Sequence, residues 1–377
     1  MPLSPTPYFL GVVHQGKDMI TAQAIINLPA IQHNYQQLSQ KCQGKPVIAV
    51  IKGDAYGHNA IEVAKALPNA TMFAVSRIEE AIELREAGIT QPVLLLEGCF
   101  CQDDLKTAAK LHFHSAIHCQ EQLDDLLAVE LDAPIALWLK VDTGMHRIGV
   151  EPAEVAHYVT QIEASGQCQG DLGFMSHFSC ADDTSASTTT QQIECFLNAT
   201  QAYPGPKTLA NSAGILYWPQ AHFDYMRGGI ALYGASPNDH EVGHQHNLKP
   251  AMTLQSKLIA VRAHRANQPI GYGETWSAKQ DTTIGVVAMG YGDGYPRNAP
   301  AGTPVMVNGR EVPIVGRVSM DMITVDLGAH SQDKVGDRVE FWGEQLPIEK
   351  VAQHLGTISY ELMIKLARRV NKQFIRD

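Results

Sequence analysis

The residue best placed for chemistry is a lysine, Lys52, at the end of an apolar run. Residues Val47–Ile51 are aliphatic and uncharged, which predicts a strand buried on both faces. A lysine at the mouth of such a strand is partly desolvated. Desolvation disfavours the ammonium form and frees the amine to act as a nucleophile toward an aldehyde. The alternative is a lysine whose ammonium simply reaches out to solvent from the strand end.

The residues after Lys52 predict a turn followed by a helix. The stretch Gly53-Asp-Ala-Tyr-Gly-His58 has turn composition, and Asn59 is suited to cap a helix over Ala60–Ala66. Strand, lysine, turn and helix then form one βα unit, with the lysine at its carboxyl edge.

A second lysine, Lys140, lies within the apolar run Leu137-Trp-Leu-Lys140 and has no partner nearby in sequence. A buried, unpaired ammonium is energetically expensive. Lys140 is therefore expected to be neutral, paired or chemically modified. Arg147 follows in the same stretch, and its guanidinium stays charged at any ordinary pH.

Three further segments place polar groups after apolar runs. His177 follows Leu172–Ser176, although a single such histidine is usually a satisfied core residue. Later, Ser212 precedes the stretch Arg227-Gly-Gly229-Ile230. The backbone N–H groups of Gly229 and Ile230, together with the Ser212 hydroxyl, are suited to hold a phosphate.

The elements that must position these residues alternate between apolar runs and amphipathic stretches. About eight βα repeats lie between Val47 and Tyr233, which is the pattern of an α/β protein with a (β/α)8 TIM-like barrel. Active sites of such barrels lie at the strand carboxyl ends, where Lys52 falls. A doubly wound open sheet alternates in the same way and remains an alternative. The strands are expected at Val47–Ile51, Met72–Val75, Val93–Leu96, Phe113–Ile117, Ile135–Val141, Leu172–Ser176, Thr208–Ala210 and Phe223–Met226.

The pattern changes after Pro250, where strand-like runs alternate with turns that contain Gly and Asn. Helices are expected again at Ile348–Leu355 and Glu361–Val370. We therefore predict three parts: an N-terminal extension over residues 1–18, the barrel over 19–250, and a mostly-β C-terminal domain over 251–377.

Composition excludes several classes of protein. The chain has 377 residues, of which 45% are hydrophobic, and a formal net charge of −10. This is enough for a large core, and the acidic balance argues against nucleic-acid binding. No apolar stretch is long enough to span a bilayer, and no basic region suggests a signal peptide. The seven cysteines contain no C-x-x-C pair, which favours reduced thiols in a cytoplasmic protein and no metal site.

The string Ala49-Val-Ile-Lys52-Gly-Asp-Ala-Tyr56-Gly-His58 resembles the pyridoxal-phosphate lysine motif of the alanine racemases. Gly53 and Asn59 depart from the commoner residues of that motif. The resemblance implies that Lys52 holds pyridoxal 5'-phosphate as a Schiff base and that Tyr56 binds its phosphate.

The later motifs extend the resemblance along the barrel. It implies that Lys140 is carbamylated and steadies Arg147, which would address the cofactor phenolic oxygen and the substrate carboxylate. It also implies that His177 packs on the cofactor ring and that Arg227 faces the pyridine nitrogen. Ser212, Gly229 and Ile230 are then expected to be cofactor-binding.

The resemblance also covers the C-terminal part of the chain. It implies that Tyr272 is the second catalytic base, reaching into the active site of the other subunit of a homodimer. Glu274 departs from the usual small residue nearby. Tyr291 is assigned to the access corridor, the Met320 backbone to the substrate carboxylate, and Tyr360 to the phosphate.

The activity implied is the interconversion of L-alanine and D-alanine through an external aldimine and two-base proton transfer, supplying D-alanine for peptidoglycan. Three alternative functions share parts of this pattern. A decarboxylase of the same architecture would use an acidic group at the pyridine nitrogen, and Arg227 argues against it. A broad-spectrum racemase is usually exported, and no export signal is present. A non-catalytic pyridoxal-phosphate carrier would lack the β-rich region with Tyr272 and Met320.

Overall fold

The computed structural model describes residues 21–377, so the predicted extension over 1–18 lies outside the described residues. The first strand, β1 (Gln23–Asn27), falls in the range predicted for the barrel. It pairs instead with two strands of the C-terminal part. Helix Leu28–Lys41 follows directly because the Asn27 side chain caps it, accepting from the Ala30 N–H at 3.0 Å.

A barrel of eight parallel strands forms the next part of the chain. Its order is β8-β7-β6-β5-β4-β3-β2-β9, and a parallel bridge between Thr208 and Tyr225 closes the ring between its two ends. Residues of these strands are nearly all buried, as expected for a sheet covered on both faces. The strands are β2 (Val47–Val50), β3 (Met72–Val75), β4 (Val93–Leu95), β5 (Phe113–Ile117), β6 (Leu137–Lys140), β7 (Gly173–Met175), β8 (Lys207–Thr208) and β9 (Met226–Gly228).

The (β/α)8 prediction is thus confirmed, and the open-sheet alternative is wrong. The strand predicted at Phe223–Met226 starts later, because Asp224 and Tyr225 both donate their N–H groups to the Lys207 carbonyl and form an irregular link to β8. Helices surround the barrel at Ala60–Ala66, Ile78–Glu86, Gln102–Leu111, Gln120–Ala128, Val155–Ser165, Thr188–Thr200 and Ser212–Tyr217.

The C-terminal part is a mostly antiparallel sheet, as predicted. Six of its strands close on themselves because the long strand β10 pairs with β17 along its first half and with β13 along its second half. Strands β1 and β18 extend this sheet from β10. The strands are β10 (Met252–His264), β11 (Pro269–Ile270), β12 (Trp276–Ser277), β13 (Thr282–Val287), β14 (Pro304–Val307), β15 (Arg310–Val315), β16 (Ile323–Asp326), β17 (Arg338–Trp342) and β18 (Asn371–Ile375).

Two short helices precede the last strand. Ile348–Leu355 forms as predicted, whereas the helix expected at Glu361–Val370 occupies only Ser359–Ile364. The chain then leaves the helical path and forms β18 parallel to β1. The sequence pattern could not foresee this, because the partner of β18 lies at the other end of the chain. Short 3-10 turns occur at Pro152–Glu154, Pro219–Ala221, Ile230–Tyr233, Gly243–His246, Tyr272–Glu274 and Tyr291–Asp293.

Candidate active site

A cavity of about 820 Å³ opens at the carboxyl ends of the barrel strands. Most of the predicted site residues line it, although they come from segments spread over three hundred positions of the chain. Their roles stay predictions, but the fold brings them to one place. They are Lys52, Tyr56, Lys140, Arg147, His177, Ser212, Arg227, Gly229, Ile230 and Tyr360.

Lys52 follows strand β2 and reaches the cavity from its wall. Burial lowers the pKa of its ammonium, and the positive charges of Arg147 and Arg227 act in the same direction. Glu97 and Glu80 oppose this shift. The lysine is therefore biased toward its neutral, nucleophilic form, which is the form needed to attack an aldehyde.

The turn after Lys52 is left-handed. Residues Gly53 to Tyr56 all have φ between 53° and 63° and ψ between 39° and 51°, so they form one turn of left-handed helix. Only Gly adopts this conformation freely. For Asp54, Ala55 and Tyr56 it costs roughly 1–2 kcal/mol each. A conformation of this cost persists only when surrounding contacts hold it.

Contacts from three directions hold the left-handed turn. Glu80 accepts the Gly53 N–H at 2.6 Å, and Lys372 of β18 donates to the Asp54 carboxylate at 2.7 Å. Gly57 packs so closely that an added Cβ would lie 2.3 Å from the Met363 carbonyl oxygen. The directions of Lys52 and Tyr56 are thus fixed by residues from both the barrel and the C-terminal part.

The buried side chain of His58 also supports this left-handed turn. Its ring is completely buried and stacks on Tyr233 with a centroid distance of 4.5 Å. Nδ1 lies 3.0 Å from the carbonyl oxygens of Ala55 and Tyr56, which only a protonated Nδ1 can satisfy. Burial lowers the pKa of His58 to about 4, so the ring is neutral. The sequence motif contains this histidine, but its structural role was not predicted.

A group of hydroxyls faces the segment around Gly229. A Cβ added to Gly229 would lie 3.0 Å from the Tyr56 hydroxyl oxygen and 3.7 Å from Ser212 Oγ, so a glycine keeps this cradle open. Ser212 Oγ accepts the N–H groups of Gly229 and Ala231, which leaves its own proton free to donate. Burial raises the pKa values of Tyr56 and Tyr360, so both phenols stay protonated donors. This donor set fits a phosphate.

Arg227 is buried without a carboxylate partner among residues 21–377. It lies in β9 and donates to Thr208 Oγ1 at 2.8 Å and to the carbonyls of Ser176 and Leu209. Burial lowers its pKa to about 10, so it remains charged at neutral pH. Its Nη2 also lies 3.4 Å from Nδ1 of His177. Burial, and then the charge of Arg227, lower the pKa of His177 well below its usual value, so the imidazole is neutral and accepts at Nδ1.

Lys140 is the second lysine of the cavity. Its side chain is 8% exposed, and Nζ donates to the Leu96 carbonyl at 3.2 Å. Burial and the positive charges of Arg227, Arg147 and Lys52 lower its pKa to about 7. Of the three states expected from sequence, the surroundings favour a neutral or modified amine, since the partner is a backbone carbonyl rather than a carboxylate.

Arg147 lies in the loop that follows β6. Asp142 organises the start of this loop, because its Oδ1 accepts the N–H groups of Gly144, Met145 and His146 at 2.9–3.0 Å. The backbone pair Val150 N–H to Lys140 O closes the loop at 2.8 Å. Arg147 is therefore carried on a closed, internally bonded loop at the cavity rim.

Sequence reasoning missed four titratable side chains that also line the cavity: Arg77, Glu80, Glu97 and His118. Glu97 follows β4 and His118 follows β5 within a residue or two, as Lys52 follows β2. The rule that barrel sites lie at strand carboxyl ends would have found both. Burial lowers the pKa of His118, with a further contribution from Lys140.

Three predicted residues do not line the cavity. Tyr272 lies at the turn of the β11–β12 hairpin and is 69% exposed, and Met320 and Tyr291 are also exposed. The Met320 carbonyl accepts from the Gly292 N–H at 2.8 Å. Within one chain, therefore, these residues are not assembled with Lys52.

Within residues 21–377, no group of three or more His, Cys, Asp or Glu could hold a metal ion. The seven cysteines are free. No helix in the described part of the chain is long and apolar enough to cross a membrane.

Comparisons with known proteins agree with the geometry. Residues 26–237 match the family model of the alanine racemase N-terminal domain, and residues 251–374 match that of the C-terminal domain. The chain is 49% identical to the biosynthetic alanine racemase of Escherichia coli over 358 residues, which are 95% of this chain and 100% of that one. The crystal structure of the biosynthetic alanine racemase from Pseudomonas aeruginosa superposes with a TM-score of 0.92 at 42% identity. The superposition covers 95% of this chain and 100% of the Pseudomonas aeruginosa chain.

Proposed function

The chain belongs to the alanine racemase family, and from this premise we propose how its residues divide the racemisation of alanine between two subunits. The activity is that of an isomerase that uses pyridoxal 5'-phosphate. Racemisation requires a proton to leave Cα on one face and to return on the other, which two opposed bases do most simply. In our proposal Lys52 serves the D-isomer and Tyr272 of the partner subunit serves the L-isomer.

The residues at the cavity fit the cofactor. Lys52 would hold its aldehyde carbon, and Tyr56, Tyr360, Ser212 and the backbone at Gly229 and Ile230 would hold its phosphate. When bound, pyridoxal 5'-phosphate would withdraw electrons from Cα of alanine and so make the Cα proton more acidic. Lys52, whose pKa is lowered by burial, would accept that proton.

Arg227 and His177 would meet the cofactor ring. The permanent charge of Arg227 would disfavour a proton on the pyridine nitrogen and would therefore moderate the electron withdrawal. Protonation at carbon atoms other than Cα would then be suppressed, which would limit transamination. Arg147 would bind the substrate carboxylate, and the Met320 backbone of the partner subunit would add to that contact.

We further propose that Lys140 is carbamylated. Its neutral amine would attack CO2, forming an N–C bond and releasing one proton, and the new carboxylate would pair with Arg147. The test is a 13C NMR spectrum in 13C-bicarbonate. A carbamate signal is expected for the unaltered protein and should vanish in Lys140→Met while remaining in Lys106→Met, an exposed lysine. Absence of the signal in the unaltered protein would contradict the proposal.

The observation that carries the two-subunit proposal is the contrast between a cavity-lining Lys52 and an exposed Tyr272. A site with both bases is completed only if a second copy brings its hairpin to the cavity mouth. Large apolar side chains exposed beside the site, Phe100 and Ile364 among them, would be covered by such a contact.

Mixing two inactive variants tests this assembly. In a dimer of Lys52→Ala with Tyr272→Phe, one site carries both lesions and the other carries neither. Random exchange should therefore restore about a quarter of the unaltered activity. The control is each variant mixed with itself, which should stay inactive. If verified heterodimers gain nothing, each site is built from one chain and the proposal is wrong.

Two finer proposals concern biology. We place the protein in the cytoplasm, supplying D-alanine for peptidoglycan, which its similarity to the biosynthetic enzymes of Escherichia coli and Salmonella supports. A panel of L-amino acids, followed by chiral chromatography, measures how far activity extends beyond alanine. Equal turnover of large side chains would favour the broad-spectrum alternative.

A further inference from the structure

A buried glutamine, Gln192, links two of the loops at the cavity mouth. It lies in helix Thr188–Thr200, and its side chain is almost wholly inaccessible, with the residue 1% exposed. Its Nε2 donates to the His177 carbonyl at 3.0 Å and to Thr143 Oγ1 at 3.3 Å. Its Oε1 accepts the N–H of Ser179 at 3.0 Å and the hydroxyl of the same residue at 3.1 Å.

The orientation of this amide is unambiguous. A backbone carbonyl only accepts and a backbone N–H only donates, so the His177 and Ser179 contacts fix which end of the amide is nitrogen. All four hydrogen-bonding positions of the Gln192 side chain are then used. A fully satisfied buried amide holds its partners in one arrangement, and a side chain that cannot donate would leave two acceptors unpaired.

Each partner belongs to a loop with a proposed function. Thr143 lies in the loop that carries Arg147, and its hydroxyl also bonds Ser176 Oγ at 2.8 Å. The contacts to His177 and Ser179 bind the loop after β7. Gly144 packs on Gln192 as well, since a Cβ there would lie 3.5 Å from Gln192 Cγ. Gln192 and Ser176 thus anchor the loop of Arg147 to the barrel, in addition to the backbone pair of Val150 with Lys140.

The same arrangement recurs around the mouth. Gln122 accepts the His118 N–H at 2.9 Å and donates to the Glu97 carbonyl at 2.8 Å, joining the loops after β4 and β5. Glu80 accepts the N–H groups of Gly53 and Ser76, joining the loops after β2 and β3. Helix-borne side chains therefore connect neighbouring loops at three places. Gln192 is the member that reaches the loop of Arg147.

We propose that Gln192 is a positioning residue that sets the site for the alanine carboxylate, by fixing the loop of Arg147 against the loop of His177. This inference rests on the proposed role of Arg147 in carboxylate binding. Gln192 is not among the residues that line the cavity. It acts through the loop, so its loss should weaken ground-state and transition-state binding alike and raise KM more than it lowers kcat.

Two substitutions test the proposal in the holoenzyme. Gln192→Glu keeps the acceptor for Ser179 but cannot donate, and Gln192→Met keeps the length without polar atoms. The probe is propionate, which has the carboxylate and methyl of alanine but no amine. We expect KM for L-alanine and the inhibition constant of propionate to rise about 10-fold together, with kcat changed by less than about 3-fold.

The matched controls are Gln191→Glu and Gln191→Met, because Gln191 is the exposed neighbour on the same helix. Both should leave KM and propionate inhibition unchanged. Thr143→Val combined with Gln192→Met should be less than additive, because the two side chains share one hydrogen bond. If cofactor-loaded Gln192 variants show lower thermal stability but unaltered KM and propionate inhibition, the role is structural only and the proposal is overturned.

Arg147→Lys separates this inference from its premise. Propionate binding should weaken in that variant, and adding Gln192→Met should weaken it little further. Full additivity would mean that Gln192 acts elsewhere and would overturn the inference. If Arg147→Lys itself left propionate binding unaltered, the proposed role of Arg147 would be wrong. The positioning role proposed for Gln192 would then be wrong as well.

Discussion

The two residues proposed as bases lie in opposite surroundings. Lys52 projects from a barrel strand into the cavity and begins a left-handed turn that is bonded on several sides. Tyr272 lies at the turn of a hairpin whose strands are two residues long, and most of its side chain is in solvent. Beneath it, Arg317 packs against Gly273, with its Nη1 3.2 Å from where a Cβ would stand.

This difference teaches how each half of the site is prepared. The three non-glycine residues of the left-handed turn together cost roughly 3–6 kcal/mol, which the contacts of Glu80, Met363 and Lys372 offset within one chain. The hairpin that carries Tyr272 contacts its own chain through Arg317, through the stacking of Trp276 on His264, and through the packing of Ile270 against Gly316, but Tyr272 itself stays exposed. The two-subunit proposal therefore predicts that each chain prepares the Lys52 half of the site and that the partner subunit covers the hairpin.

Removing the lysine should have the largest effect. We expect Lys52→Ala to lower kcat/KM by about 10⁴-fold or more, because Lys52 is proposed both to hold the cofactor aldehyde and to serve as one of the two bases. Reduction with borohydride followed by mass spectrometry should label Lys52 in the unaltered protein and not in the variant. Lys45→Ala, an exposed lysine before β2, is the control and should keep full activity. Cofactor trapped on another lysine of the unaltered protein would refute this half of the comparison.

Removing the phenol hydroxyl should have the next largest effect on activity. Tyr272→Phe should lower kcat/KM by about 10²–10⁴-fold. The loss must be equal in both directions, because L-alanine and D-alanine have the same free energy in water. The free energy of unfolding should change by less than about 0.5 kcal/mol, since the side chain is exposed.

Tyr203→Phe is the control for the phenol, because Tyr203 lies near a separate small cavity by Gly205, before strand β8. It should leave turnover unaltered. If Tyr272→Phe kept activity near that of the unaltered protein, the hairpin would have no part in the mechanism. The contrast between the two proposed bases would then have no functional meaning.

A matched glycine pair tests how tightly the left-handed turn is held. Gly57 and Gly88 both have φ of +83°, but a Cβ at Gly57 would meet the Met363 carbonyl at 2.3 Å whereas Gly88 has nothing within 4 Å. Gly88→Ala should cost about 1–2 kcal/mol from backbone strain alone. Gly57→Ala should cost roughly 1–3 kcal/mol more. Urea denaturation measures the free energy of unfolding of both variants. Equal losses would mean that the packing of Gly57 against Met363 does not contribute to stability.

A further effect, on stability rather than on activity, concerns Lys140 and pH. Between about pH 7 and its ordinary pKa near 10.4, the lysine is protonated in the unfolded chain but neutral in the folded one. The unfolded state then binds more protons, so the free energy of unfolding should rise with pH across that window, by at most about 1.4 kcal/mol per pH unit.

In Lys140→Met the free energy of unfolding should rise less steeply with pH than in Lys106→Met. Urea denaturation in CO2-free buffer measures both slopes. The same slope in both variants would show that Lys140 is not neutralised by folding. Because the buffer contains no CO2, Lys140 cannot be carbamylated. The slope therefore reports only on the protonation of Lys140.

Much of the barrel could be predicted from the sequence. Strands β3 and β5 fall on their predicted residues, and Asn59 caps its helix by accepting from the Glu62 N–H at 3.0 Å, as its position suggested. Local patterns sufficed here because apolar periodicity and capping are properties of neighbouring residues. The same patterns could not assign β1 to the second sheet or foresee β18, because those pairings join the two ends of the chain.

The candidate site divides in the same way. Motifs picked out ten residues that line the cavity, but not Arg77, Glu80, Glu97 or His118, which also line it, and not the buried Gln192 outside its lining. The left-handed path of Asp54, Ala55 and Tyr56 runs against their local preference. Contacts with Glu80, His58, Met363 and Lys372 make it stable.

The sequence by itself determined which chemical groups this protein has and roughly where each follows a strand, because those features depend on residue type and short-range spacing. The tertiary structure decided the lowered pKa values of Lys52, Lys140 and His177, the left-handed turn, and the separation of Tyr272 from the cavity. These depend on burial and on contacts between residues hundreds of positions apart, which no local pattern encodes.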